Sequence, residues 1–231
     1  MITALHVGSL VLQGILALTL LEGIRRRDVA ATVNALIALF AALLPSILEF
    51  GLSFTASAVT FGPELPLWIA TAGVIHAFGM LGLYESTWWW DHLAHTVSAA
   101  LIAALAYASL IVLVRYSNTS GLPVDSIAGL TILFVFVVGV FWELVELIAR
   151  EIGERYGIQP VLVHYGWRDT ALDLVFNLLG SLFVVAVDLR VFVPIAQQYP
   201  NVTQILLFGS GGFVVGGSVL MAATIRYGND D

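Results

Sequence analysis

About seven stretches of roughly 20 mostly apolar residues, parted by short polar breaks, run the length of this chain, and each is long enough to cross a bilayer as a helix. Inside a bilayer no water is present to satisfy backbone N–H and C=O groups, so spans of this kind must be helical. The expected fold is therefore all-α: a polytopic membrane helix bundle, with residues 1–231 forming a single transmembrane domain. The spans are expected at about Thr3 to Glu22, Val29 to Phe50, Leu65 to Leu83, Trp89 to Val114, Ile127 to Ala149, Asp169 to Val193 and Val202 to Ile225. Arg25, Arg26 and Arg27 follow the first span, whereas a secretory signal carries its basic residues ahead of the apolar run, so a retained helix is expected.

Composition agrees. Hydrophobic residues make up 59% of the chain and charged ones 11%, and the mean hydropathy is +0.95; a soluble domain is far more polar. The cell membrane is the expected location. The nine basic residues are all arginine, against 16 acids, for a formal charge of -7. An acidic surface without lysine suits a halophilic archaeon. Cysteine is absent, which excludes disulfides and thiolate chemistry. The arginines sit singly or in short groups at span ends and form no basic stripe, so nucleic acid is excluded as a partner.

Arginine placement also gives an orientation. With the N-terminus outside, Arg25, Arg26, Arg27, Arg150, Arg155, Arg168 and Arg226 fall on the cytoplasmic side and only Arg115 and Arg190 on the outer side. The positive-inside rule then selects N-out, C-in. In that topology the start of span four, the end of span five and the start of span six meet at one cytoplasmic level.

Those three places carry the acidic and histidine residues. Asp91 and His95 are four apart, Glu143 and Glu146 three apart, and Asp169, Asp173 and Asn177 four apart, so each set lines one helical face. A charged side chain at the centre of a span costs about 2.5 to 3.5 kcal/mol on insertion scales unless it is paired, hydrated or bound to a cation. Asp91 and Asp169 begin their helices, where an acid also serves as a cap. His95, Glu143, Glu146 and Asp173 lie too deep for capping. Glu143 is about seven residues before Arg150, on the order of 10 Å along the helix. Carboxylates at these spacings repel, and a divalent ion would compensate them: Zn, Mn, Fe or Mg, held by His95, Glu143, Glu146 and Asp173, with Asp91 or Asp169 completing the shell or acting as general base. Protonation of some of the acids would compensate them as well. His92 points about 100° from Asp91 and is a secondary candidate, as is Asn177. His76 reads as a packed histidine, and Glu49 lies toward the opposite side. His164, in the loop before Asp169, is placed to close over the site. Trp88, Trp89 and Trp90 read as interfacial anchors. Glycines in span seven, Gly212 and Gly216 among them, form a GxxxG packing face through which a homo-oligomer is expected.

Four fragments carry a family resemblance: Leu-Pro-Ser-Ile-Leu-Glu ending span two, Trp-Trp-Asp-His-Leu-Ala-His opening span four, Phe-Trp-Glu-Leu-Val-Glu in span five and Asp-Thr-Ala-Leu-Asp-Leu opening span six. Over about Val29 to Val193 the chain resembles the YjdF-type family of multi-pass membrane proteins, which implies the helical architecture and a shared polar site. Asp91 with His95, and Asp173 with Asn177 and Gly180, are also similar to the D-x-x-x-H and D-x-x-x-N-x-x-G patterns of VanZ-like membrane proteins. The paired glutamates depart from that second pattern.

Three functions fit a cluster of this kind. A metal-dependent hydrolase would act on a membrane lipid or another amphiphile from the cytoplasmic side, the ion activating water. A proton- or cation-coupled transporter would use the same acids as a relay, but the outer half offers little beyond Glu49 and His76, and no inverted repeat is evident. A scaffold would use the cluster only to fix helix register. No G-x-S-x-G, P-loop or H-E-x-x-H motif is present.

Overall fold

The computed structural model describes residues 3–54, 59–116, 123–158, 160–162 and 166–228, and among them the regular structure is entirely helical. In chain order the elements are α1 (Ala4–Arg26), α2 (Val29–Leu52), α3 (Glu64–Phe78) with a π-helical turn at Gly79–Leu83, the short α4 (Tyr84–Ser86), α5 (Trp90–Tyr116), α6 (Ser126–Tyr156), α7 (Trp167–Ala186), the short α8 (Val193–Gln198) and α9 (Pro200–Gly228). Seven segments are long and apolar enough to cross a membrane, in the seven places the hydropathy pattern predicts. They fall into two compact units, Met1–Ala94 and His95–Asp231. The division lies inside the continuous helix α5, one turn from its start.

In the first unit α1, α2 and α3 pack through small side chains. Leu16, Ala35, Ala42, Ala70 and Ala77 are fully buried and form its core. Hydrocarbon offers helices no hydrophobic reason to associate, so close packing and interhelical hydrogen bonds hold them. One such bond is the Gln13 amide donating to the Ala42 carbonyl at 2.9 Å. The α1–α2 turn is tight because Arg27 adopts a left-handed conformation (φ 58°) and Asp28 at once caps α2, accepting from the Ala31 N–H at 2.9 Å. Glu49 has a local role: its Oε1 accepts from the Phe61 N–H at 2.6 Å and ties the α2–α3 connection to α2.

In the second unit α5 carries the buried small residues Ala99, Ala100, Ala103, Ala104, Ala106 and Ala108. These admit α7 at backbone contact: a Cβ on Gly180 would meet the Thr96 carbonyl oxygen and stand 3.0 Å from the Ala100 nitrogen. Helix α6 has 31 residues, about 46 Å at 1.5 Å per residue, which exceeds a hydrocarbon core of about 30 Å. It therefore continues beyond Ala149, where the expected span stops, through the charged residues Arg150, Glu151, Glu154 and Arg155.

One other boundary differs from expectation. Helix α7 ends at Ala186 and not near Val193, because Asp188 turns into the left-handed region (φ 50°). Pro194 then opens α8, where its missing N–H leaves no bond unmade. On α9 the glycines that meet a neighbour are Gly211 and Gly217, whose added Cβ atoms would lie 3.7 Å from Phe134 and 2.8 Å from Phe141. At Gly212 and Gly216 a Cβ would meet no described atom within 4 Å.

Candidate metal centre

Helix α5 carries Asp91 in its first turn and His95 one turn later. Helix α7 presents Asp173, Asn177, Gly180 and Ser181, all buried, along one face, spaced by the three and four residues of a single stripe. Gly180 lets the two backbones approach, and the polar pair one and two turns before it comes opposite the start of α5. His95 Nε2 lies 3.7 Å from Asp173 Oδ1. Its Nδ1 lies 3.3 Å from Asn177 Oδ1. Asp91, His95 and Asp173 each offer a ligand atom, and these atoms lie within 4.8 Å of one another.

The ring orientation has a chemical consequence. An amide oxygen only accepts, so Asn177 favours the tautomer with hydrogen on Nδ1 and leaves the Nε2 lone pair directed at Asp173. Metal-bound histidines are held in the same way, donating one ring N–H to a carbonyl-type oxygen and binding through the other nitrogen. A separation of 3.7 Å is too long for a hydrogen bond. It is close to the roughly 3.3 Å separating two ligand atoms that bind one tetrahedral ion at about 2.0–2.1 Å. Asp173 is 1% exposed, and a charge buried to that degree needs compensation, which a bound cation or a proton supplies.

Glu143 belongs to the same neighbourhood by helix register. Helices α6 and α7 pack together, and a Cβ on Gly139 would lie 2.8 Å from the Asn177 amide nitrogen. Successive spans run antiparallel, so one turn onward from Gly139 and one turn back from Asn177 bring Glu143 and Asp173 to one level. Glu143 is 6% exposed, although it lies outside the group of three. Glu146 is half-buried and also outside the group of three, and its Oε1 accepts from the Trp142 indole at 2.7 Å.

The remaining nominated residues are placed as follows. Asp169 is half-buried, one turn before Asp173 on α7 and outside the group of three. His92 packs its ring edge-on against Trp88, with centroids 6.3 Å apart. His76 is held by two hydrogen-bonding partners in the first unit, Asn34 and Tyr84. His164 lies outside the described residues. Sequence reasoning passed over Asn34 and Tyr84, and also Tyr107, whose hydroxyl donates to Asp188 at 2.7 Å. Residues 76 and 84 would stand about 12 Å apart along a regular helix, too far to bond, and Tyr107 and Asp188 are 81 residues apart, so periodicity could not single out either pair.

No curated protein and no solved structure matches the chain. A family model described as "Predicted membrane protein (DUF2238)" matches residues 7–193, a range that takes in the first six spans and every member of the polar group. With its seven apolar helices the chain is a multi-pass membrane protein, and it belongs to the DUF2238 family.

Proposed function

We propose that Asp91, His95 and Asp173 hold a divalent metal ion, with Glu143 as a fourth, buried carboxylate, and that the protein is a metal-dependent hydrolase of a membrane lipid or similar amphiphile. The observation that carries this reading is the convergence of three ligand atoms within 4.8 Å, one of them on the buried Asp173. Carboxylate and imidazole together suit Zn, Mn or Fe. An ion with an open position lowers the pKa of bound water toward neutrality. Asp169, one turn nearer the start of α7 and less buried than Asp173, is suited to take the proton from that water.

The membrane setting supports the substrate class. Exposed tryptophans lie beside the acids: Trp167, which opens α7, is 75% exposed, and Trp142, next to Glu143 within α6, is 37% exposed. Indole favours the headgroup layer, so the acids lie just below the level of a lipid ester or phosphoester. Arg150, Arg155 and Arg168, which follow the acids on α6 and precede them on α7, support placing that layer at the cytoplasmic leaflet.

The test is hydrolysis in vesicles. Protein reconstituted in a total polar lipid extract with Mn²⁺ or Zn²⁺ should release a new water-soluble headgroup or a lysolipid, and Asp169→Asn should slow release by about 10²- to 10⁴-fold while retaining the ion. A lipid profile left unchanged by metal-loaded protein would refute the hydrolase.

A further inference from the structure

Helix α3 does not run straight into α4. At Gly79–Leu83 it widens into a π turn, and Gly82 has φ 122° and ψ 0°, a conformation essentially reserved for glycine. Here the turn folds the chain back, so that the Tyr84 ring lies directly on Gly79, in space a side chain would occupy.

That placement completes a chain of hydrogen bonds. The Tyr84 hydroxyl is 2.6 Å from His76 Nδ1, and His76 Nε2 is 2.9 Å from Asn34 Oδ1 on α2. The Asn34 amide nitrogen donates to the Ala30 carbonyl. Because the Asn34 oxygen only accepts, Nε2 carries the ring hydrogen and Nδ1 accepts from Tyr84. On a regular helix residues 76 and 84 would stand about 12 Å apart along the axis. The π turn is what joins them.

The neighbouring carbonyl is the link to the metal centre. Ile75 O accepts from the Gly79 N–H and also from the Trp90 indole at 2.8 Å. Trp88 and Trp89 are exposed, as interfacial anchors should be, but Trp90 is turned in and tethered. It is the first residue of α5 and directly precedes Asp91.

We propose that the π turn of α3, locked by Asn34, His76 and Tyr84, positions Asp91: the Trp90–Ile75 bond fixes the first turn of α5, so ion binding depends on residues that never touch the ion. The inference rests on the metal reading above and deepens it. Trp90 and Tyr84 are positioning residues, acting through Asp91 alone.

Two readouts on the full-length purified protein test this. In metal-free protein, Trp90→Phe and Tyr84→Phe should speed amide hydrogen exchange at residues 90–96 by about three- to tenfold, the worth of one hydrogen bond, leaving residues 103–112 unchanged. In Mn²⁺ titrations the same variants should raise Kd by about three- to tenfold, and this effect should vanish in an Asp91→Asn background. Unchanged exchange at residues 90–96 would overturn the inference, as would an equal rise in Kd with Asp91 removed. If the wild-type protein bound no Mn²⁺, the metal reading would fall, and the exchange measurement would still decide whether the π turn fixes α5.

Discussion

His95 Nε2 faces Asp173 Oδ1 across 3.7 Å while Asn177 holds the opposite ring nitrogen at 3.3 Å. On the proposed metal reading Asn177 orients His95 without itself being a ligand. Asn177→Leu, which keeps the approximate volume and removes the acceptor, should weaken metal binding by about 10- to 100-fold. Isothermal titration with Zn²⁺ or Mn²⁺ measures this. Unaltered affinity would mean that the amide does not orient the ring.

The two glutamates of α6 should behave differently. Glu143 is buried and level with Asp173 by the Gly139–Asn177 register, whereas Glu146 is engaged by Trp142. Glu143→Gln should cost at least about tenfold in metal affinity, and Glu146→Gln less than about threefold. Equal losses would mean that both reach the ion.

Gly180 should tolerate no side chain. A Cβ there would collide with the backbone of α5 at Thr96, and backbone cannot step aside as a flexible side chain can. Gly180→Ala should destabilise by about 1 to 3 kcal/mol and weaken metal binding as α5 and α7 separate. Gly129→Ala is the control: on α6 an added Cβ meets no described atom within 4 Å, and the change should be neutral or stabilising by up to about 1 kcal/mol. Thermal melts in detergent distinguish the two.

Asp188 gives a pH dependence. Hydrogen bonds from Arg190, then from the Tyr107 hydroxyl, hold its carboxyl below the ordinary value of 3.8. A lowered folded pKa stabilises the protein at pH above the unfolded value, and that contribution is lost as pH falls through the folded one. The group is exposed, so the effect is small. Asparagine tolerates the left-handed backbone at this position. The difference in melting temperature between wild type and Asp188→Asn should hold from about pH 8 to 5 and shrink only in acid below 3.8.

What the sequence made legible follows the range of the interaction involved. Helix number was readable because an apolar run of sufficient length specifies a span by itself. The pairing of Asp91 with His95 was readable because both lie on one helix, four residues apart. Which glutamate of α6 is buried was not, since Glu143 and Glu146 are only three apart; Glu143 is 6% exposed and Glu146 half-buried. Gly73, His76, Gly79 and Gly82 recur at steps of three, the pattern of a packing stripe, and only the backbone angle of Gly82 reveals the turn. Proline stops helices, so Pro194 sets the end of the sixth span at Val193 in the sequence, but the left-handed Asp188 ends α7 before it.

The most direct test is the metal content of purified protein. Elemental analysis after purification without chelator, followed by Zn²⁺ and Mn²⁺ titration, should find about one divalent ion per chain in the wild type and at least about a tenfold loss of affinity in both Asp173→Asn and His95→Ala. Folded wild-type protein that takes up no divalent ion, or an Asp173→Asn variant that binds as tightly as the wild type, would contradict the account.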